Sequence, residues 1–302
     1  MTESKKTKDV FPTAKDDLGS AELKLDTLQT RSDSYRLAYD DSDFLLRDEL
    51  RPVRLQLELL KPELLQQEHG IESTVVVFGS IRIPDKETAT KRLQEAETLA
   101  QANPSDPVLA RKVNIAKSIL DKSRYYDEAR ELGRIITEQY QNNEKCELVV
   151  ITGGGPGIME AANRGAKDVN GKSIGLNIVL PMEQAPNPYV TPELSFQFHY
   201  FAVRKMHFLM RAKALVAFPG GYGTFDELFE TLTLIQTKKV KPVPVLLFGK
   251  EYWQRIINFE ALVDEGTIDQ KDLELFQFVD TAKEAWDIIN EFQVQLENAK
   301  VT

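Results

Sequence analysis

The sequence is poor in cysteine and histidine, which limits the covalent and metal supports available to its fold. Cys146 is the one cysteine among 302 residues, so no disulfide can form within the chain. It precedes an apolar run, which favours a buried, inert thiol over a reactive one. The three histidines, His69, His199 and His207, lack the spacing to cysteine or acidic residues that is typical of metal ligands. We therefore expect no disulfide, no metal site and a reducing, cytoplasmic location.

The chain also lacks long hydrophobic runs and an excess of positive charge. No segment approaches the ~18 consecutive apolar residues that a membrane span needs, and the polar N-terminus does not resemble a signal peptide. The 38 Lys and Arg residues are outnumbered by 47 Asp and Glu residues, which gives a formal net charge of −9. Surfaces that bind DNA or RNA need clustered basic residues. We therefore expect neither a membrane nor a nucleic-acid polymer as a partner, although a small anion can still bind to a few backbone N–H groups.

Three regions of different composition follow one another along the chain. Residues 1–40 are polar and are predicted to be mobile or loosely docked. Residues 41–70 are predicted to form a helical arm that starts at an N-cap such as Asp41 and carries a leucine-rich stripe. The stripe would pack either on the main domain or on a second subunit. Residues 71–302 are predicted to form the main domain.

Short apolar runs alternate with helical patterns throughout the main domain. The stretch at about residues 86–121 carries only helical signals and predicts a helical insertion before the first crossover helix. Strands that alternate with helices imply parallel pairing and right-handed crossovers. We predict an α/β fold with a doubly wound, mostly parallel, Rossmann-like sheet, an N-terminal helical arm and a helical insertion. The predicted strands are residues 74–79, 148–152, 173–179, 194–198, 214–219, 242–249 and 276–280.

Two glycine-rich loops connect predicted strands to predicted helices. They are TGGGPGIME at Thr152–Glu160 and PGGYGTFDE at Pro219–Glu227, and a shorter turn, FGSIR, occupies Phe78–Arg82. Ligands of such sheets bind beyond the carboxyl ends of the strands, where glycine lets backbone N–H groups approach and the next helix adds its positive dipole. The pattern therefore predicts a phosphate or nucleotide site. Neither loop has the Gly-x-Gly-x-x-Gly dinucleotide fingerprint or the Gly-Lys-Ser/Thr of a P-loop, which disfavours dehydrogenases and P-loop enzymes.

The nonapeptide at Pro219–Glu227 resembles the PGGxGTxxE signature of the LOG (LONELY GUY) family, whose members have long carried the mistaken name lysine decarboxylase. The segment Gly153–Asn163 resembles the second glycine motif of that family. Phe78–Ser80 resembles the turn after its first strand, and Arg204-Lys205 resembles the Arg-Lys pair that precedes its PGG strand. The motifs occur in the family's order. The N-terminal arm and the helical insertion depart from the compact form of the family.

The resemblance implies a phosphoribohydrolase, which cleaves the N-glycosidic bond of a nucleoside 5′-monophosphate to free base and ribose 5-phosphate. It also implies no metal or organic cofactor and a homodimer or higher homo-oligomer. AMP-like substrates are expected first, with cytokinin riboside monophosphates as a variant. The catalytic pair of the family falls on Arg204 and Glu227. The implied substrate- and phosphate-binding positions are Ser80, Gly153, Gly154, Gly155, Met159, Glu160, Lys205, Gly220, Gly221, Gly223 and Thr224.

Several of these residues have structural alternatives. Thr224 and Glu227 have the spacing of a capping box, in which both side chains bond to the helix start. Glu160 falls in a first helical turn, where a carboxylate complements the dipole in any case, and Lys205 and Arg82 could be solvated surface charges. At the level of function, the alternatives are a non-catalytic nucleotide sensor or carrier on the same fold and a pyridoxal-phosphate decarboxylase. The latter needs a Schiff-base lysine, and no lysine is convincingly placed at either glycine loop.

Overall fold

The chain divides into two units, residues 1–58 and 59–302. The computed structural model describes residues 11–21, 25–142, 145–181 and 185–301. Residues 1–10 and 22–24 of the segment predicted to be mobile therefore lie outside the described residues.

The first unit contains two short helices and the beginning of a longer one. These are α1 (Ala14–Ala21), α2 (Ser42–Leu45) and α3 (Arg51–Glu68). Asp41 is the N-cap expected from the sequence, and its side chain accepts a hydrogen bond from the Phe44 N–H at 3.1 Å. The helical arm is divided, because α2 ends after one turn and α3 starts separately at Arg51. Pro52 then occupies the first turn of α3, where the fixed φ of proline fits and its missing N–H costs nothing.

A seven-stranded parallel sheet forms the centre of the second unit and confirms the predicted α/β fold. The spatial order is β6-β5-β4-β1-β7-β8-β9, and every neighbouring pair is parallel. β2 (Gln141–Asn142) and β3 (Lys145–Cys146) form a separate antiparallel pair. The strands of the main sheet are β1 (Thr74–Phe78), β4 (Val149–Thr152), β5 (Ser173–Ile178), β6 (Ser195–Phe198), β7 (Ala212–Ala217), β8 (Val245–Phe248) and β9 (Gln277–Val279).

The strand order reverses at β1. The chain first builds outward from β1 through β4, β5 and β6, and then returns to the other side of β1 with β7. Helices that follow β1 and β7 leave the sheet in different directions at such a switch point, which opens a crevice beyond the carboxyl ends of the two strands. The turn after β1 and the PGG loop after β7 both lie at this crevice.

Nine α-helices follow the strands in the described part of the second unit, and two of them form the predicted insertion. α4 (Lys86–Ala102) and α5 (Pro107–Lys122) pack on each other, and Asp106 caps α5 by accepting a hydrogen bond from the Val108 N–H at 2.8 Å. The crossover helix then starts at Arg124. The remaining helices are α6 (Arg124–Tyr140), α7 (Ile158–Asp168), α8 (Phe201–Met210), α9 (Tyr222–Gln236), α10 (Lys250–Ile256), α11 (Phe259–Asp264) and α12 (Ala282–Val301).

The central strands are buried on both faces, which explains their continuous apolar sequences. All five residues of β1 and all four of β4 and β8 are buried. Full burial of one Val, Leu, Ile or Phe side chain contributes about 1.5–3 kcal/mol. The rings of Phe218 and Phe248 stack with centroids 4.2 Å apart. Aromatic packing therefore continues to the residue that precedes Pro219 of the PGG loop.

Helices α6 and α7 cross at two glycines. A Cβ atom built on Gly165 would lie 1.9 Å from the Arg130 carbonyl oxygen, and one on Gly133 would lie 2.3 Å from the Ala162 carbonyl oxygen. Both obstacles are backbone atoms, which cannot move aside as a flexible side chain can. The two glycines therefore set the distance between the helices and, through α7, the position of the second glycine loop.

We expect Gly165→Ala to lower the free energy of unfolding by about 1–3 kcal/mol, because the helices must separate to admit the methyl group. Chemical denaturation checks this value. Gly19→Ala in α1 is the control, since a Cβ there meets no atom within 4 Å, and it should leave stability unchanged or slightly higher. An unchanged denaturant concentration at the unfolding midpoint of Gly165→Ala would contradict the close approach of α6 and α7.

Candidate active site

A cavity of about 960 Å³ opens at the crevice beyond β1 and β7. This volume is at the upper end of the range for small-molecule sites. Its wall combines the turn after β1, the PGG loop with the start of α9, parts of α8 and α5, and the side chains of Met159 and Tyr252. The cavity therefore brings together segments that lie far apart in the sequence.

Backbone hydrogen bonds fix the PGG loop against the turn after β1. The Phe218 N–H donates to the Phe78 carbonyl at 2.8 Å, and the Ser80 N–H donates to the Pro219 carbonyl at 2.9 Å. Gly220 must be glycine, because a Cβ there would lie 2.1 Å from the Thr224 hydroxyl oxygen. The loop is thus held in one conformation before any ligand binds.

The N-terminus of α9 is open toward the cavity. Gly221 is its N-cap and provides no side-chain cap, and Cβ atoms built on Gly221 or Gly223 would meet no atom within 4 Å. Thr224 is the third helical residue and not the N-cap, so the capping-box alternative for Thr224 and Glu227 is wrong. The first N–H groups of the helix keep their hydrogen-bonding capacity and its positive dipole points at the cavity, which together suit a phosphate.

Glu227 presents a buried carboxyl group to the same cavity. Its side chain comes from the second turn of α9, and the residue is 7% exposed. Burial raises the pKa of Glu227 to about 7, and nearby Glu230 and Asp226 act in the same direction. The cations of Lys205 and Arg204 oppose this rise. Near neutral pH the carboxyl group therefore exchanges readily between its neutral and its ionised form.

Arg204 approaches the cavity from α8. Its Nε donates to the Leu176 carbonyl at 2.7 Å, and its guanidinium carbon lies 5.1 Å from the centroid of the Phe208 ring. Burial lowers the pKa of Arg204, while the charge of Glu227 acts against this shift. Among the residues that the structure describes, no ion pair within 4 Å joins Arg204 to Glu227, and the terminal guanidinium nitrogens remain available for a ligand.

The second glycine loop supports Arg204 but contributes little of the cavity wall. A Cβ on Gly153 would lie 2.8 Å from Nη2 of Arg204, so this glycine leaves room for the guanidinium group. Asn187 donates from its side chain to the Gly155 carbonyl at 3.1 Å and from its backbone to the Gly154 carbonyl at 2.8 Å. The buried Asn187 therefore holds the second glycine loop in place through these two hydrogen bonds.

The predicted site residues divide into two groups. Those that line the cavity are Ser80, Met159, Arg204, Gly220, Gly221, Gly223, Thr224 and Glu227. Those that do not line it are Gly153, Gly154, Gly155, Glu160 and Lys205. Glu160 accepts a hydrogen bond from the Tyr126 hydroxyl at 2.8 Å. Lys205 forms ion pairs with Asp226 at 2.9 Å and with Glu230 at 3.0 Å, so it holds the acidic side of α9 in place.

Sequence reasoning missed three contributors to the site. Tyr252 of α10 donates its hydroxyl hydrogen to the Gly220 carbonyl, and Asn187 anchors the second glycine loop. The third contributor is the α5 face of the insertion, which includes Arg111 and Lys122. A local signal exists for none of the three, because each acts through tertiary contacts with a distant loop.

The described parts of the chain contain no group of three or more His, Cys, Asp or Glu side chains arranged to hold a metal ion. In the same ranges, none of the helices combines the length and the apolar character that crossing a membrane requires.

We expect Glu227→Gln to stabilise the protein at neutral and alkaline pH. The folded-state pKa of about 7 lies above the ordinary value of 4.5, so the unfolded chain loses its proton first as pH rises. Between about pH 4.5 and 7 the wild type therefore loses stability relative to the Gln variant. Above pH 7 the free energy of unfolding of the variant should exceed that of the wild type by up to about 3 kcal/mol. Urea unfolding at pH 4.5 and pH 8 checks this, and an equal effect at both pH values would contradict a buried, titrating carboxyl group.

Comparison with known proteins places the sequence among named enzymes. A family model described as "Possible lysine decarboxylase" matches residues 159–289. The cytokinin riboside 5′-monophosphate phosphoribohydrolase LOG2 of Arabidopsis thaliana is 25% identical over 175 residues, which cover 57% of this chain and 78% of that protein. Its relative LOG3 of the same plant is 28% identical over 167 residues, or 54% and 73% of the two chains. The X-ray structure of TM1055, a structural genomics target, covers 72% of this chain and 99% of its own, with 24% identity and a TM-score of 0.45.

The residues at the cavity do not fit the pyridoxal phosphate that a lysine decarboxylase would need. A Schiff base requires a neutral lysine amine, whereas the amine of Lys205 is held in ion pairs with two carboxylates. Lys122, the lysine on the cavity wall, donates two hydrogen bonds to Ser118 of its own helix.

The cavity instead combines a PGGYGTFDE loop, an uncapped helix N-terminus and an arginine–glutamate pair. These features and the named relatives agree with the motif resemblance. The chain is similar to the LOG family over the residues that these motifs and the family model cover.

Proposed function

We propose that this protein hydrolyses the N-glycosidic bond of nucleoside 5′-monophosphates, with AMP as the first substrate, to free base and ribose 5-phosphate. One observation carries the proposal. The buried Glu227 carboxyl group and the partly buried Arg204 side chain line the same cavity as the open N-terminus of α9. The LOG relatives are named as cytokinin riboside 5′-monophosphate phosphoribohydrolases, so cytokinin riboside monophosphates form the second substrate class to test.

The PGG loop is suited to the 5′-phosphate. The residues from Gly221 to Thr224 line the cavity, and Cβ atoms built on Gly221 or Gly223 would meet no atom within 4 Å, so the space beside this backbone is open. A phosphate bound there lies away from the reacting bond. Its binding energy positions the ribose and thereby lowers the barrier of a step in which the phosphate takes no part.

Glu227 is suited to the reacting carbon. Departure of the base with the bonding electron pair leaves oxocarbenium character at C1′, which a nearby carboxylate stabilises. Glu227 then accepts a proton from the attacking water, whose hydroxyl group adds to C1′. The departing base gains one proton, so the net change is the addition of one water molecule across the C1′–N bond.

Arg204 is suited to hold the substrate beside Glu227. Its Nε is engaged by the Leu176 carbonyl, which fixes the plane of the guanidinium group. The terminal nitrogens can then donate to substrate oxygens with a fixed, fork-like geometry. Its positive charge also favours the ionised form of Glu227.

We expect the purified protein to release adenine from AMP, with chromatography as the measurement. Glu227→Gln should lower kcat by about 10²–10⁴-fold, because it keeps the shape of the side chain but removes the base. Glu230→Gln is the matched control in the same helix, since Glu230 does not line the cavity, and it should retain activity. Nucleotide binding without base release from any monophosphate would instead favour the carrier or sensor alternative.

We expect kcat/KM for AMP to rise with pH and to level off above about pH 7. The ionised carboxylate is the active form, and the pKa of Glu227 in the free protein is about 7. Below that value kcat/KM should therefore increase about tenfold per pH unit, which is a slope of about one in a logarithmic plot. The second ionisation of a phosphate monoester lies near ~6, so a single inflection there would assign the profile to the substrate.

A further inference from the structure

The insertion helix α5 forms one wall of the proposed nucleotide cavity. The residues that face the cavity recur every three or four positions and therefore share one side of the helix. They are Arg111, Asn114, Ile115, Ser118, Ile119 and Lys122. The family model begins at residue 159, so this wall lies outside the matched region and needs an explanation of its own.

The C-terminal end of α5 lies close to the PGG loop. Tyr252 of α10 donates to the Gly220 carbonyl, and the neighbouring residues Glu251 and Arg255 on that helix interact electrostatically with Lys122. Lys122 is therefore at the same end of the cavity as the proposed phosphate site. Arg111 lies about three turns earlier in α5, or ~16 Å away along the helix axis.

Lys122 and Ser118 form a small hydrogen-bonded unit on this wall. The Lys122 ammonium donates to the Ser118 hydroxyl oxygen at 2.6 Å and to the Ser118 carbonyl at 3.1 Å. An ammonium group has three N–H donors, so one remains, and the Ser118 hydroxyl keeps its own hydrogen to donate. Both remaining donors belong to side chains that line the cavity.

The cavity has an excess of cations although the protein carries a net charge of −9. Its charged wall residues are Arg82, Arg111, Lys122, Arg204, Asp226 and Glu227. Asp226 is paired with Lys205, and Glu227 is half neutral near pH 7. Burial lowers the pKa of Lys122 and Arg255 acts in the same direction, whereas Asp121 and Glu251 oppose this shift. The wall thus favours an anion.

We propose that Lys122 and Ser118 of the insertion bind the phosphorylated end of the nucleotide from across the cavity, opposite the amides of the PGG loop. The proposal rests on the proposed function for the identity of the ligand. A dianionic phosphate placed there has the dipole of α9 on one side and the ammonium group on the other. The insertion then supplies contacts to the phosphate that the PGG loop alone does not make.

Equilibrium binding by calorimetry tests the proposal with AMP, adenosine and ribose 5-phosphate as probes. Lys122→Met should weaken AMP and ribose 5-phosphate binding by about tenfold, the low end for a charge-assisted hydrogen bond at a partly exposed site. Adenosine binding should not change, and the loss for AMP should shrink at high ionic strength. Ser118→Ala should cause a smaller loss of the same kind. In turnover, KM should rise while kcat remains nearly constant.

Lys112→Met is the matched control, because Lys112 is on the same helix but does not line the cavity, and it should stay within about twofold of the wild type. Unchanged AMP binding in Lys122→Met would overturn the proposal, and so would equal losses for AMP and adenosine, which would indicate altered cavity shape. Binding is measured separately from base release. A protein that releases no adenine but loses AMP affinity in Lys122→Met would therefore refute the proposed hydrolysis and support this site.

Discussion

The site depends on the pairing of β1 with β7 at the point where the strand order reverses. Two backbone hydrogen bonds, from Phe218 to Phe78 and from Ser80 to Pro219, extend this pairing past the ends of the strands. They hold the turn after β1 and the PGG loop side by side. Because the loop cannot relax onto the sheet, α9 must start at an uncapped glycine that faces the crevice. Every other feature of the cavity is arranged around this helix end.

The charged groups at the cavity are kept apart at a cost in stability. Burial raises the pKa of Glu227 and lowers that of Arg204, so each group is less stable in its charged form than it would be in water. A direct ion pair between Arg204 and Glu227 would reduce the cost of both charges. However, Nε of Arg204 donates to a carbonyl of β5, and the ion pairs of Lys205 with Asp226 and Glu230 join α8 to α9. An anionic substrate that contacts Arg204 would recover part of this cost. Unpaired burial of this kind is typical of functional sites rather than of structural salt bridges.

The sequence was most informative where a local pattern and a tertiary role coincide. The central strands β1, β4 and β8 were predictable because both of their faces are covered, which favours continuous apolar runs. The PGG loop was predictable for a similar reason, since its glycines are needed both for the turn and for the open helix end. The second glycine loop was harder to interpret. Its glycines signal close packing, and the structure shows protein groups in these contacts: Gly153 makes room for Arg204, and Asn187 donates to the carbonyls of Gly154 and Gly155.

The insertion shows why part of the site could not be read from motifs. Its helical periodicity was clear in the sequence, yet periodicity does not tell which side of a helix faces a cavity and which faces α4. That choice is made by tertiary contacts of α5 with α4 and α6. Because the N-cap at Asp106 and the packing on α4 secure the helix independently of the cavity, the residues on its exposed face can change without disturbing the sheet. An added helix of this kind can therefore change the lining of the cavity, while the loops beyond β1 and β7 keep their positions.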